Sequence, residues 1–97
     1  MESVDTSKKT ASGIVYTGHS WLYDMLIGTD GVNNPTITVY DGIDNSGVEK
    51  IPTNAYDASA LGINGVVYNA KRKCAKGIYV EITCVGTVEV VVGYKGL

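Results

Sequence analysis

The sequence has no phenylalanine, one tryptophan, one histidine, two prolines and two cysteines in 97 residues. Each scarcity excludes something. The lone histidine, His19, leaves a single candidate general base and removes any His-rich metal site. It stands in Gly18-His19-Ser20, and adjacent residues of an extended chain point to opposite faces, so Ser20 and His19 make a poor nucleophile–base pair. Cys74 and Cys84 form no C-x-x-C pair, and a structural zinc needs four ligands. No catalytic residue, no metal ligand and no cofactor is therefore expected, and the chain does not read as an enzyme. No apolar run approaches the roughly 18 residues of a membrane span, so no membrane contact is expected. Positive charge is also scarce: eight Lys and Arg against ten Asp and Glu give a net charge of −2 and a pI near 5.1. A nucleic-acid-binding domain is usually strongly basic, so no nucleic-acid partner is expected. Residues 1–12 (MESVDTSKKTAS) lack the apolar centre of a secretory signal, which implies a protein made and kept in a cytoplasm unless released by lysis.

What the sequence does contain points to β structure. Hydrophobic residues are 44% and charged residues 19%, values of a globular rather than a disordered chain. Seven Tyr, a second half crowded with Val, Ile and Thr, and 12 Gly suit pleated surfaces joined by turns. The length is that of one domain. Residues 1–12, polar and without period, read as a flexible arm, which leaves residues 13–97 as the domain.

Along that domain the strand signals recur. Residues 13–17 (GIVYT) read as a short strand. Residues 21–29 (WLYDMLIGT) fit a helix through Leu22, Met25 and Leu26, but Gly28 closes it early and strand is favoured. As a strand, Tyr23, Met25 and Ile27 share one face, and Leu22, Asp24 and Leu26 the other. Residues 30–35 (DGVNNP) are a dense turn signal. Residues 36–40 (TITVY) put Ile37 and Val39 inward and Thr36, Thr38 and Tyr40 outward. After a loop at 41–47 (DGIDNSG), residues 48–51 read as a short strand pairing back on the previous one. Residues 52–60 read as a connection, residues 66–69 as a strand, and residues 71–76 (KRKCAK) as a basic loop. The C-terminal stretch alternates most regularly. Ile78, Val80, Ile82 and Cys84 share one face, then Val88, Val90, Val92 and Tyr94, and the turn at Val85-Gly86 makes the two runs read as a β-hairpin. The fold expected is all-β, an antiparallel β-sandwich or small barrel of six to eight short strands. If residues 78–84 are extended, the two cysteine Cα atoms lie beyond the roughly 7 Å limit for a bridge, so two free, buried thiols are expected. Lysines beside Cys74 would depress its pKa, although a catalytic thiol there is a weak reading.

Candidate contact residues fall in two groups. Lys71, Arg72, Lys73 and Lys76 are the only local charge excess; they suit an acidic partner surface or a solvated loop, and no aromatic residue is interleaved with them in sequence, as single-strand binders require. Tyr40, Tyr79 and Val91 face away from the core defined by their own strands, and Leu22 and Leu26 add to them on the strand reading of residues 21–29; the surplus points to a second face buried against another chain. The acidic loops, with Asp30, Asn33 and Asn34 in one and Asp41, Asp44 and Asn45 in the next, match no EF-hand spacing and read as turn chemistry rather than a calcium site.

The runs GIVYTG, IGTDG, TITVYDG, IPTNAYD and GIYVEITCVGTVEVVVGY, spanning residues 13–94, resemble small virion-associated structural proteins of tailed bacteriophages. The resemblance implies a non-enzymatic structural role in the particle. The first expectation is a capsid decoration (cement) or head-fibre-type protein, with a neck or tail component as the alternative. It implies a homo-oligomer, commonly a trimer, in contact with virion proteins such as the major capsid protein, located in the virion and assembled in the host cytoplasm. Two segments depart from the pattern: residues 21–27 are bulkier and more acidic, and residues 71–76 are unusually basic. A carbohydrate-binding β-sandwich module is the alternative of another class, with Trp21, Tyr40, Tyr56 and Tyr79 as the aromatic residues that such a module would need in one row.

Overall fold

The computed structural model describes residues 5–58, 64–67 and 71–97. Its elements are β1 (Asp5–Lys9), β2 (Gly13–Thr17), β3 (Ser20–Thr29), β4 (Thr36–Asp41), β5 (Val48–Ala55), β6 (Asn64–Val67), β7 (Arg72–Cys74), β8 (Gly77–Thr83) and β9 (Val88–Gly96). Sheet A runs β1-β9-β3-β6, with β7 also on β3; sheet B runs β2-β8-β4-β5. Every pairing is antiparallel. The two sheets share one core: Leu22, Met25, Ile27, Val88, Val90 and Val92 from sheet A meet Ile37, Val39, Ile51, Ile78 and Val80 from sheet B, and Cys74 completes the cluster. The molecule is therefore a β-sandwich, with a shortest extent of 17 Å, as two layers about 10 Å apart require.

Alternation placed the core residues of β4, β8 and β9 as expected. Ile37, Val39, Ile78, Val80, Val90 and Val92 are fully buried and Val88 nearly so. Ile82 is half-buried and packs against the cluster. Tyr16 of β2 and Tyr94 of β9 close one end of the interior across the sheets, with ring centroids 5.4 Å apart.

The pairing partners differ from the expectation in several places. β8 and β9 are no hairpin: β8 lies in sheet B and β9 in sheet A. Residues 84–87 carry the chain from one layer to the other, and inward alternation is identical for an arch and a hairpin because both put one face on the same core. β4 and β5 do pair back as expected, but β5 continues through Pro52 to Ala55 where a connection was expected. It is an edge strand, where a missing N–H costs no ladder bond and discourages foreign pairing. The stretch read as a flexible arm contains β1, paired with β9 from Asp5↔Tyr94 to Lys9↔Val90; residues 1–4 lie outside the described residues. The basic loop contains β7, paired with Ser20–Leu22 of β3. The strand expected at 66–69 is β6, beginning at Asn64 and described as far as Val67.

β3 corrects the expected division of its faces. The register against β9 shifts between Leu22↔Tyr94 and Asp24↔Gly93, with Tyr23 as the extra residue of a bulge. This bulge puts Leu22 and Met25, three residues apart, on the same inner face, and both are fully buried. Leu22 was expected on the outer face, and Tyr23 on the inner one with Met25.

Candidate functional site

The structure puts Tyr40 and Tyr79 on one side of the sandwich and Lys71 and Lys73 on the other, with Arg72 in register with the inward Leu22 and Lys76 in a turn. On the outer face of sheet B the register lines up one row across all four strands: Ile14↔Tyr79 between β2 and β8, Tyr79↔Tyr40 between β8 and β4, and Tyr40↔Glu49 between β4 and β5. The Tyr40 and Tyr79 rings are tilted against each other with centroids 6.4 Å apart. Tyr40 faces outward as expected but is only 9% exposed; its neighbours roof it, and its hydroxyl donates to Glu81 Oε1 at 3.3 Å. Burial first, then the negative charges of Glu81 and Glu49, push that hydroxyl above the usual tyrosine pKa. Glu81 Oε2 also accepts from the Asn45 side chain at 3.0 Å. Beneath the row, the Thr38 and Thr53 hydroxyls bond at 2.7 Å, which lets Thr38 be buried without an unmet polar atom. Ile14 remains 43% exposed.

The outer face of sheet A is built differently. Trp21 of β3 is flanked in register by Lys73 of β7 on one side and Lys95 of β9 on the other. The Lys71 ammonium lies over the indole at 6.0 Å, the outer limit of a cation–π contact. Lys71 takes a left-handed backbone, φ +33°, which is uncommon for a lysine. The sequence showed no aromatic residue among these lysines; strand pairing supplies one. Further along the face, Leu26, 39% exposed, is in register with Val91 on β9, which is in register with Lys8 on β1. Lys8 meets Glu89 at 3.6 Å, an exposed ion pair of little energetic weight.

Lys76 does not join the Trp21 group. It sits in the β7–β8 turn, which is held by Asp41. Asp41 Oδ1 accepts from the amides of Lys76 (2.8 Å) and Gly77 (3.3 Å), and Oδ2 from Ala75 (3.0 Å). Desolvation alone would raise this carboxyl's pKa; the three amides outweigh it and the net shift is downward. Gly77 is required here, since its φ is +154° and a Cβ would press into the Tyr16 carbonyl. The turn and the β4–β5 loop border an open cleft of about 460 Å³, lined in part by Thr17, Asp44, Ser46 and Lys76.

The acidic loops are turn structures. Asp30 Oδ1 accepts from the amides of Val32 and Asn33, and Oδ2 from the Asn33 side chain at 2.7 Å. Those bonds, the Asn33 amide foremost, bring the Asp30 pKa down to about 2. The Asp30 and Asn33 side chains lie over Gly86 so closely that a Cβ there would collide with them. The β3–β4 loop and the β8–β9 arch thus form one end of the sandwich, where Val32 and Val85 are 79% and 94% exposed. Asn34 accepts from the Ala58 amide, and Asp44 from Ser46. Among the described residues, no three His, Cys, Asp or Glu side chains converge on one point. His19 is exposed and Ser20 buried, on opposite faces as expected.

Cys74 and Cys84 are both free as expected, but only Cys74 is buried; Cys84, expected buried too, is half-exposed and packs against the core. Cys74 is fully buried, and burial, with the nearby Asp41 charge, pushes its thiol up to about 11. That reverses the expectation that adjacent lysines would lower it: their side chains leave the strand for solvent while the thiol enters the core. The four aromatic residues weighed for carbohydrate binding do not form one row. Tyr40 and Tyr79 are on sheet B, Trp21 on the far face of sheet A, and Tyr56 packs against the core. No family model and no curated protein matches the sequence.

Proposed function

We propose that this chain is a non-enzymatic structural component of a tailed-bacteriophage particle that works as a homo-oligomer, in a capsid decoration or head-fibre role. The observation that carries the reading is the placing of apolar rows on both outer faces. A lone two-layer sandwich needs apolar residues on its inner faces only, with polar residues outside. Here Leu26 and Val91 stand together on the outside of sheet A, and Ile14 and Tyr79 on the outside of sheet B. Contiguous outward apolar groups of this kind mark surfaces that bind other chains. The resemblance of the strand-and-turn motifs to those of small virion proteins supplies the kind of assembly. Light scattering on the purified protein tests the oligomer, and co-sedimentation with purified phage heads and tails tests the particle. The expected result is a mass of several chains and retention on one particle component. A mass of one chain, 10.3 kDa, together with no retention would overturn the reading.

A further inference from the structure

We infer that the outer face of sheet A docks on the outer face of sheet B of a second copy of this chain. The inference rests on the homo-oligomer reading above and specifies its contact. Both faces carry an aromatic residue at the centre of a cross-strand row, and the charges around the two are opposite. Trp21 lies between Lys73 and Lys95, with Lys71 over its ring. Tyr79 and Tyr40 lie between Ile14 and Glu49, with Glu81 bonded to Tyr40. Of the chain's eight cationic residues, Lys71, Lys73 and Lys95 are gathered on or beside the short β7–β3–β9 row, while Arg72, in register with the buried Leu22, leaves β7 on the other side. Among the described residues, Lys71, Arg72 and Lys73 form no ion pair, and neither do Glu49 and Glu81. The Trp21 end of the sheet A face thus presents positive charge and the Tyr40 row of sheet B negative charge, which a second copy can complement; Asp24, in register with Gly93, and Glu89, paired with Lys8, lie farther along the sheet A face. The chain as a whole is acidic, so another copy is a ready source of the negative partner surface.

Size allows the contact. The molecule measures 37 × 32 Å across its two longer axes, enough for the roughly 800 Å² per partner of a standard interface. Because the two faces belong to different sheets, the contact is heterologous and cannot close as a two-fold dimer. Copies joined this way form a head-to-tail series, which becomes a ring only where successive copies are rotated.

A charge exchange tests the proposal. One variant carries Lys71→Glu and Lys73→Glu; the other carries Glu49→Lys and Glu81→Lys. Each alone would set like charges against each other, and its self-association should weaken at least about a hundredfold. Mixed in equal amounts, the two variants restore opposite charges at every contact where they alternate and should assemble well beyond the mass that either reaches alone in sedimentation. Glu81 accepts bonds from Tyr40 and Asn45, so circular dichroism melts accompany each variant, and Glu49→Lys alone serves if the double change unfolds the chain. Variants that assemble like the wild type, or a mixture that regains nothing, overturn the face-to-face contact while leaving the oligomer intact. A wild type that remains a single chain overturns the oligomer reading with it. A single-stranded oligonucleotide held by the wild type and released by Lys71→Glu/Lys73→Glu, with no change in mass, reassigns the lysine face to a polyanion and overturns the proposal as well.

Discussion

Cys74 illustrates how little a residue's sequence neighbours say about its chemistry. Lys73 and Lys76 flank it, yet in β7 its side chain joins the core cluster while theirs are exposed to solvent. A thiol with a pKa near 11 is almost wholly protonated at neutral pH, and the thiolate is the reactive species. Native protein treated with a thiol reagent at pH 8 should therefore leave Cys74 unmodified until the chain unfolds, and denaturation without reductant should expose two thiols per chain. Rapid native labelling at Cys74 would show that its burial is wrong. Asp30 is the second residue whose surroundings set its chemistry. Its pKa falls from an ordinary 3.8 to about 2 because three groups donate to its carboxylate. A carboxyl depressed on folding contributes stability that is present above pH 3.8 and lost as the pH falls toward 2. Urea titrations across that window should show falling stability in the wild type and a shallower fall in Asp30→Asn. Parallel curves for the two proteins would remove Asp30 from the acid transition.

The elements divide into those that local pattern specifies and those that depend on a partner. β9 belongs to the first kind. Val88, Val90 and Val92 alternate with outward residues and occupy the core. Val90→Asp would place an unpaired charge in that core, at a cost of several kcal/mol. Set against a net stability of about 5–15 kcal/mol for a domain, the variant should lose its cooperative melt by circular dichroism. An unchanged midpoint would overturn the inward assignment of β9. β3 belongs to the second kind. Its bulge at Tyr23 is a shift of its register against β9, so it depends on the partner strand and not on the alternation of β3 itself. Period-two reading assigns every residue of such a strand to a face from any starting point, and one extra residue reverses all assignments on one side of it. That is why Leu22 was expected outside.

The sandwich as a whole keeps its inner faces apolar, but its outer faces are not uniformly polar. Leu26 tests what that means for the molecule. It is 39% exposed and stands beside Val91. Surface substitutions away from special features usually change stability by within about 0.5 kcal/mol. Leu26→Glu should therefore melt like the wild type. If the outer face of sheet A is buried between copies, the same variant should shift the mass toward one chain. A variant with unaltered mass would remove Leu26 from any interface, and a lowered melting point would show instead that it supports the monomer.

The all-β fold class, the turns around Asp30 and Asp44 and the inward residues of β4, β8 and β9 were legible in the sequence pattern alone. These are local properties: in an extended backbone, successive side chains take opposite sides whatever the strand pairs with. Which strands are neighbours emerges from the folded arrangement and not from local pattern. Trp21 meets Lys73 and Lys95 through the pairing of β3 with β7 and β9, and no local pattern records a partner so far along the chain. The same holds for the arch between β8 and β9, which alternation cannot tell from a hairpin, and for β1, whose polar residues carry no strand period and are extended because β9 offers an edge to pair with. The two surfaces that now invite experiment were legible as residue types in the sequence. Their assembly into an aromatic–lysine face and an aromatic–glutamate face came from backbone hydrogen bonding between distant segments, which sets register without regard to sequence separation.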